Sequence, residues 1–388
     1  MRTIVPRQAV DHSRLDYMQF SVMETPALPE TMSGVILTGH GGPEKLSYRT
    51  DLSLPVLSDT EVLIKVAAAG LNNTDVNTRI GWYSKGVKKG TSSESTVASG
   101  NRTDDDASWS GKPLKFPRIQ GADCCGYIVA VGSSVPSSRI GERVLVRSML
   151  THYSSTASFE CWTFGSECDG AFAQYAKAPS ADVYIVNAPS WTDVELGSVP
   201  CAFSTAENML HRSQVRCDET VLVTGAGGGV GAAAVQLCKR RGAKVIAVAG
   251  REKRDQMLDL GADKVLVRGE GIVDALGRSS VDIVLDVVGG ASFPELLDAL
   301  KRGGRYATAG AISGPIVELD LRTLYLKDLS FYGCTFQDEV VFANLISYIE
   351  KGEIKPNVGQ VFKLNDIGKA QEVFQSKTNS GKLVVEID

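Results

Sequence analysis

The sequence predicts an α/β protein in which a β-rich first part is joined to a doubly wound parallel sheet. Three observations carry the prediction. Residues 220–225 form an apolar run that passes through a glycine-rich turn into residues at helical spacing. A second apolar run, 244–248, follows at once and completes a βαβ unit. Upstream, residues 60–67 alternate with period two, as a half-buried strand does.

Taken in order, residues 1–31 read as a poorly ordered extension; Arg2, Arg7 and Arg14 are mixed with Asp11 and Asp16, and no apolar core of a secretory signal is present. Strands are expected at 34–37, 60–67, 126–132 and 143–146, with turn residues between them. Residues 84–115 are rich in Ser, Gly, Lys and Asp and bury little apolar surface. They read as a mobile surface insertion, either a lid or simply a tolerated loop. From about residue 200 the pattern alternates, with strands expected at 221–225, 244–248, 264–267, 282–286, 304–309 and 329–333. A helix at 338–351, an extended stretch at 354–362, a helix at 366–376 and a strand at 382–387 close the chain.

The turn comprises Gly225, Ala226, Gly227, Gly228, Gly229, Val230 and Gly231. Gly228 lets backbone approach a phosphate, and Gly231 lets the helix pack against its strand. Ala226 departs from the strict three-glycine fingerprint. Val230, Ala234, Leu237 and Cys238 give the helix an apolar face, and Gly242 suits the position just past its end. Free N–H groups and the helix dipole at this turn favour a pyrophosphate. No carboxylate ends the second strand, where NAD binding would place one; Arg251, Lys253 and Arg254 follow instead. Guanidinium pairs with phosphate in a planar fork, so NADPH is expected. The competing reading is a solvated helix start, to which Glu252 lends support.

Composition bounds the remaining possibilities. The chain has 388 residues, 43% hydrophobic and 22% charged, with a net charge of −4. That suits a globular protein of two domains and gives no footprint for nucleic acid or an anionic membrane. No apolar run nears the roughly 20 residues of a bilayer span. Eight cysteines without a CxxC pair read as reduced thiols in a cytoplasmic protein.

Several segments together resemble the medium-chain dehydrogenase/reductase superfamily, close to its zinc-independent quinone and enoyl reductases. They are Leu37-Thr38-Gly39-His40-Gly41-Gly42-Pro43-Glu44, Ala69-Gly70-Leu71-Asn72-Asn73-Thr74-Asp75, Gly170-Ala171-Phe172-Ala173-Gln174-Tyr175, Asp286-Val287-Val288-Gly289-Gly290 and Gly381-Lys382-Leu383-Val384-Val385. The resemblance implies a GroES-like catalytic domain over 32–202 and 337–388 and a Rossmann domain over 203–336, with a small-molecule substrate in the cleft between them. Zinc-dependent members carry ligands where Asn72, Ala122 and Cys201 stand here, so no catalytic zinc is expected. The four-cysteine structural lobe is reduced to Cys161 and Cys168. Cys124 and Cys125, as strand neighbours, face opposite ways.

The chemistry expected from this resemblance is hydride transfer to a quinone or an α,β-unsaturated carbonyl. Tyr83 is a candidate proton donor, or else an aromatic at a loop edge. Asn72 is a candidate donor to a substrate carbonyl, or else a turn amide bonded to its own backbone. Asp75 and Arg79 read as an ion pair or a cap. Ser204 and Thr205 match the segment beside the nicotinamide, although one of them could be an N-cap. Val288, Gly289, Ala309, Gly310 and Cys334 fall at strand ends that face the cofactor. The resemblance also implies a homodimer through the edge strand at 329–333. A carbonyl or alcohol oxidoreductase and a non-catalytic NADPH-binding sensor are the rival readings.

Overall fold

The computed structural model describes residues 27–91, 108–153, 159–377 and 379–388. Most of the expected N-terminal extension and the middle of the 84–115 insertion lie outside these residues.

A six-stranded parallel sheet forms the second half. Its order is Lys264–Val267, Lys244–Ala249, Thr220–Val223, Val281–Asp286, Leu300–Thr308 and Ser330–Gly333. All neighbours run parallel. The chain reverses direction of travel between Thr220–Val223 and Val281–Asp286, and a crevice opens at the strand ends there, as the doubly wound fold requires. Helices cover both faces, so the central strands are apolar throughout. The strand expected at 304–309 begins earlier, at Leu300, with a register irregularity opposite residues 281–283.

The β-rich part is a seven-stranded, mainly antiparallel sheet, joined by a three-stranded sheet of Thr31–Leu37, Leu46–Ser53 and Arg118–Ile119. At the centre of the larger sheet, Glu61–Gly70 pairs antiparallel with Cys125–Val131, Tyr175–Pro179 and the last strand, Lys382–Glu386. Only Val358–Lys363 of the extended stretch at 354–362 is a strand, and it pairs parallel with Lys382–Glu386. Cys124 and Cys125 pack into separate apolar cores, as alternation along a strand demands. All eight cysteines are free thiols.

The flanks of the insertion pack against the body. Gly90 and Ser108 are buried, and Thr91 donates its N–H to the Ile312 carbonyl across the cleft at 3.0 Å. Among the described residues no helix is long and apolar enough to cross a membrane.

Candidate active site

The glycine turn is built to close tolerances. A Cβ on Gly231 would lie 2.3 Å from the Gly225 carbonyl oxygen, so this position seats the helix Gly229–Arg240 on its strand. A Cβ on Gly228 would meet only that same oxygen, at 3.4 Å, and otherwise open space. Gly228 is the N-cap and has no side-chain cap, so N–H groups of the first turn face the crevice. Ala226 is buried, and its N–H donates to the Val248 carbonyl. Glycine at 226 is therefore not required for the turn to close.

Cations gather around this turn. Lys253 donates to the Gly227 carbonyl at 2.9 Å, and burial lowers its ammonium below the usual lysine value. Lys377 is exposed along its stem while its ammonium is enclosed above the Phe374 ring; burial, and then Lys253, bring it down to about 8. An ammonium lowered by burial and by a neighbouring ammonium favours an anion beside it. Arg251 and Arg254 are exposed at the carboxyl end of Lys244–Ala249. The sequence reading found Lys253, Arg251 and Arg254 but not Lys377.

Across the crevice, Asp286 organises the loop that carries Val288 and Gly289. This buried carboxylate accepts from the Thr224 and Tyr306 hydroxyls and from the N–H groups of Val288 and Gly289. Gly289 has φ 63°, and Ala309 and Gly310 follow the next strand beside it. Cys334 is buried at the end of Ser330–Gly333; its N–H bonds the Thr308 carbonyl, and burial pushes its thiol up to about 11.

The opposite wall holds a buried polar cluster. Leu71 donates its N–H to the Leu383 carbonyl, and Val384 pairs with Gly70. This register carries Lys382, from the far end of the chain, to Asn72. The Lys382 ammonium donates to Asn72 Oδ1 at 2.7 Å, to the Leu71 carbonyl at 2.9 Å and to Asp123 Oδ2 at 3.0 Å. Asn72 Nδ2 donates to Asp123 Oδ2 at 2.9 Å and to the Gly70 carbonyl at 3.2 Å. The amide orientation is dictated by chemistry: an ammonium can only donate and an ionised carboxylate can only accept. Both amide hydrogens of Asn72 thus have acceptors in the protein. The backbone-bonded alternative describes its geometry better than a donor aimed at substrate.

Asp75 caps the helix Asn73–Ile80 by accepting from the Asn72 N–H at 2.8 Å. Burial, with Asp123 adding to it, raises its carboxyl to about 7. The expected Asp75–Arg79 ion pair is absent. Arg79 is buried and donates to Gln371, Gln375 and the Gly41 carbonyl, while the Asp75 carboxylate is taken by the N–H groups of Asn72 and Ala122.

Ser204 and Thr205 are not N-caps, since the helix Pro200–Arg212 starts a full turn earlier. Ser204 is buried and accepts from Gln337 Nε2 at 3.2 Å. Thr205 keeps partial exposure. The phenol of Tyr83 is enclosed while its ring retains some surface. Burial raises this phenol above its ordinary value, opposed by hydrogen bonding with Thr74 and Asn77; Cys201 and Asp75 are close enough to add to the rise. Tyr83, Asn72, Asp75 and Cys201 therefore meet at one place. A separate cavity of about 590 Å³, lined by Met32, Ile36, Trp162 and Tyr175, contains none of these residues.

Comparisons with known proteins agree on the lineage. Residues 58–189 match the alcohol dehydrogenase GroES-like domain, and residues 229–351 match the zinc-binding dehydrogenase family. Quinone oxidoreductase of Homo sapiens is 29% identical over 370 residues, 91% of this chain and 97% of that protein. Acryloyl-coenzyme A reductase of Sulfurisphaera tokodaii is 30% identical over 286 residues, 70% of this chain and 84% of that one. A crystal structure from Sinorhizobium meliloti 1021, provisionally described as an alcohol dehydrogenase, is 44% identical with TM-score 0.82, covering 93% of this chain and 98% of that one. The chain belongs to the medium-chain dehydrogenase/reductase superfamily. It is a pyridine-nucleotide-dependent oxidoreductase with a GroES-like domain and a Rossmann-like sheet.

The superfamily includes zinc enzymes, so the donor set here bears on its chemistry. Among the described residues no group of three or more His, Cys, Asp or Glu side chains is placed to hold a metal ion. At the family's zinc position the ligand types are replaced by Asn72 and Ala122. The Asp123 carboxylate is engaged by Lys382 and by the Cys201 N–H. Burial raises the Cys201 thiol to about 12. These residues do not fit a catalytic zinc. Sequence reading missed Lys382, Asp123 and Asp286 as members of the site. A lysine opening an otherwise apolar terminal strand was the one available signal for the first of them.

Proposed function

We propose that this protein is an NADPH-dependent reductase that acts, without catalytic zinc, on a quinone or an α,β-unsaturated carbonyl. The observation that carries the reading is the Lys382–Asn72–Asp123 cluster, in which an ammonium takes the cationic place and the carboxylate is bound to it rather than free to hold a Lewis-acidic metal. An acceptor that is already electrophilic fits such a site. The names of the relatives, quinone oxidoreductase and acryloyl-coenzyme A reductase, point to the same class.

In this reading the cleft lies between residues 32–202 with 337–388 and residues 203–336. NADPH, when bound, supplies the hydride. The first-turn N–H groups after Gly228 hold the pyrophosphate, with Lys253 and Lys377 flanking it, and Arg251 pairs with the 2′-phosphate. Thr205 bonds the carboxamide end, and the Asp286-braced loop fixes Val288 and Gly289 against it. Tyr83 stays protonated at neutral pH and delivers the proton to the reduced acceptor. Asn72 is a positioning residue that holds the cluster beneath it. The enzyme is taken to be a homodimer, and its free thiols accord with a cytoplasmic setting.

The test locates the label after turnover with NADPH deuterated at the transferred position. Deuterium on the β-carbon of an enone is the expected result. Deuterium on the carbonyl carbon would favour a carbonyl reductase, and NADPH binding without turnover of enones or quinones would favour a sensor. Arg251→Ala should weaken NADPH binding by about tenfold, the order of one charge-assisted phosphate contact, and leave NADH binding unchanged. Equal losses for the two nucleotides would remove Arg251 from cofactor choice.

A further inference from the structure

We infer that Trp109, brought to the cleft by the insertion, is a specificity-determining residue that selects flat, fused-ring acceptors. The inference rests on the reductase reading above and deepens it.

Three aromatic side chains from two separate segments meet beside the candidate proton donor. Trp109 Nε1 donates to Thr74 Oγ1 at 2.8 Å, which ties the indole to the first turn of the helix Asn73–Ile80. The Trp109 and Tyr83 ring centroids are 4.8 Å apart with planes tilted by 43°. Trp82 meets Tyr83 edge-on at 5.6 Å. Its own indole N–H is taken by the Lys89 carbonyl at 2.9 Å. Both indole donors are therefore spent on anchoring, and the ring surfaces of all three residues stay partly exposed.

The wall faces the reaction region. Tyr83 adjoins Cys201 and Asp75, and the chain after Trp82 runs on to the segment around Ile312. There Thr91 bonds the Ile312 carbonyl, and a Cβ on Gly90 would strike that same carbonyl oxygen at 2.4 Å. Ser313, next in the chain, donates to the Val288 carbonyl at 2.9 Å. The indole of Trp109 is thus fixed to the helix that follows Asn72, and the chain that leaves Trp82 is fixed to residues 312–313, which bond the Val288–Gly289 loop. Anchored rings offer stacking area at little entropic cost, and stacking rewards a planar π-system over an aliphatic chain.

The test compares wild type with Trp109→Leu and Trp109→Phe, using 2-methyl-1,4-naphthoquinone and 2-cyclohexenone as acceptors. Naphthoquinone binding is also measured by calorimetry with and without NADP+, where both partners are oxidised and nothing turns over. Trp109→Leu should weaken naphthoquinone binding and lower its kcat/KM by about tenfold, while cyclohexenone kcat/KM and NADPH affinity hold. Trp109→Phe should restore most of the loss. Equal losses for both acceptors, or unchanged naphthoquinone binding in Trp109→Leu, would overturn the inference. Failure of wild type to oxidise NADPH with either acceptor would instead overturn the reductase reading, and the calorimetry would still judge Trp109.

Discussion

The ammonium of Lys382 spends all three of its protons on Leu71, Asn72 and Asp123. Its side chain is 7% exposed and that of Asp123 is fully buried. Removing one partner of such a pair leaves an uncompensated charge in low dielectric. Lys382→Met should therefore cost about 3–5 kcal/mol of stability, read from denaturant unfolding, and adding Asp123→Asn should recover part of it. A loss confined to activity, with stability unchanged, would contradict this account. Asp75 behaves differently, because its carboxyl is raised from 3.8 to about 7 by burial. Across that interval the folded state binds the proton and the unfolded chain does not. Stability should consequently fall as pH rises toward and through about 7. Thermal melts between pH 5 and 8 check this: Asp75→Asn should flatten the slope, and a wild-type melting temperature that rises over the range would contradict it.

At the scale of elements, the strand–turn–helix around Gly225–Gly231 separates two jobs that glycine performs. Gly231→Ala places a methyl group 2.3 Å from a backbone oxygen, so the helix must move and both stability and NADPH affinity should drop. Gly228→Ala meets only a 3.4 Å contact. It should fold within about 1 kcal/mol of wild type, the order of a cap change, yet bind NADPH at least tenfold more weakly, because the methyl group occupies phosphate space. Urea melts together with cofactor titration distinguish the two variants, and unimpaired binding in Gly228→Ala would remove this turn from the cofactor site. The same turn explains what could be read in the sequence. Its glycines, its helix and the neighbouring strands are local, so spacing alone located them. The polar cluster is not local. Lys382 lies 310 positions from Asn72 and reaches it only through the register of the terminal strand against Glu61–Gly70. Asp286 and Trp109 were illegible for the same reason, since an acid at a strand end or a tryptophan in a polar insertion signals nothing until its partner is known. For Asn72 the sequence left a substrate donor and a backbone-bonded amide open, since it shows donor capacity and not the two acceptors bound to it.

At the scale of the whole molecule, the six-stranded sheet ends in two edge strands, Lys264–Val267 and Ser330–Gly333. Among the described residues Ser330–Gly333 pairs only with Leu300–Thr308. Phe331 on that edge is 39% exposed, and Ile316, Leu321 and Tyr325, in the segment leading to it, are each more than 60% exposed. An open strand with apolar side chains around it invites pairing with another strand, and proteins that remain monomeric usually blunt such an edge with charge or cover it. Here a second copy related by a two-fold axis would satisfy both demands at once. The edges would pair antiparallel, and the exposed apolar residues would cover one another. Light scattering should then give twice the 41.5 kDa chain mass. Phe331 packs on Phe293 and Tyr306 within its own chain, so replacing it would also disturb folding. Ile316→Asp combined with Tyr325→Asp avoids that difficulty and should yield a folded monomer that still binds NADPH, because the glycine turn lies on the opposite half of the sheet. A wild-type mass of one chain, or a double variant that stays dimeric, would place the contact elsewhere.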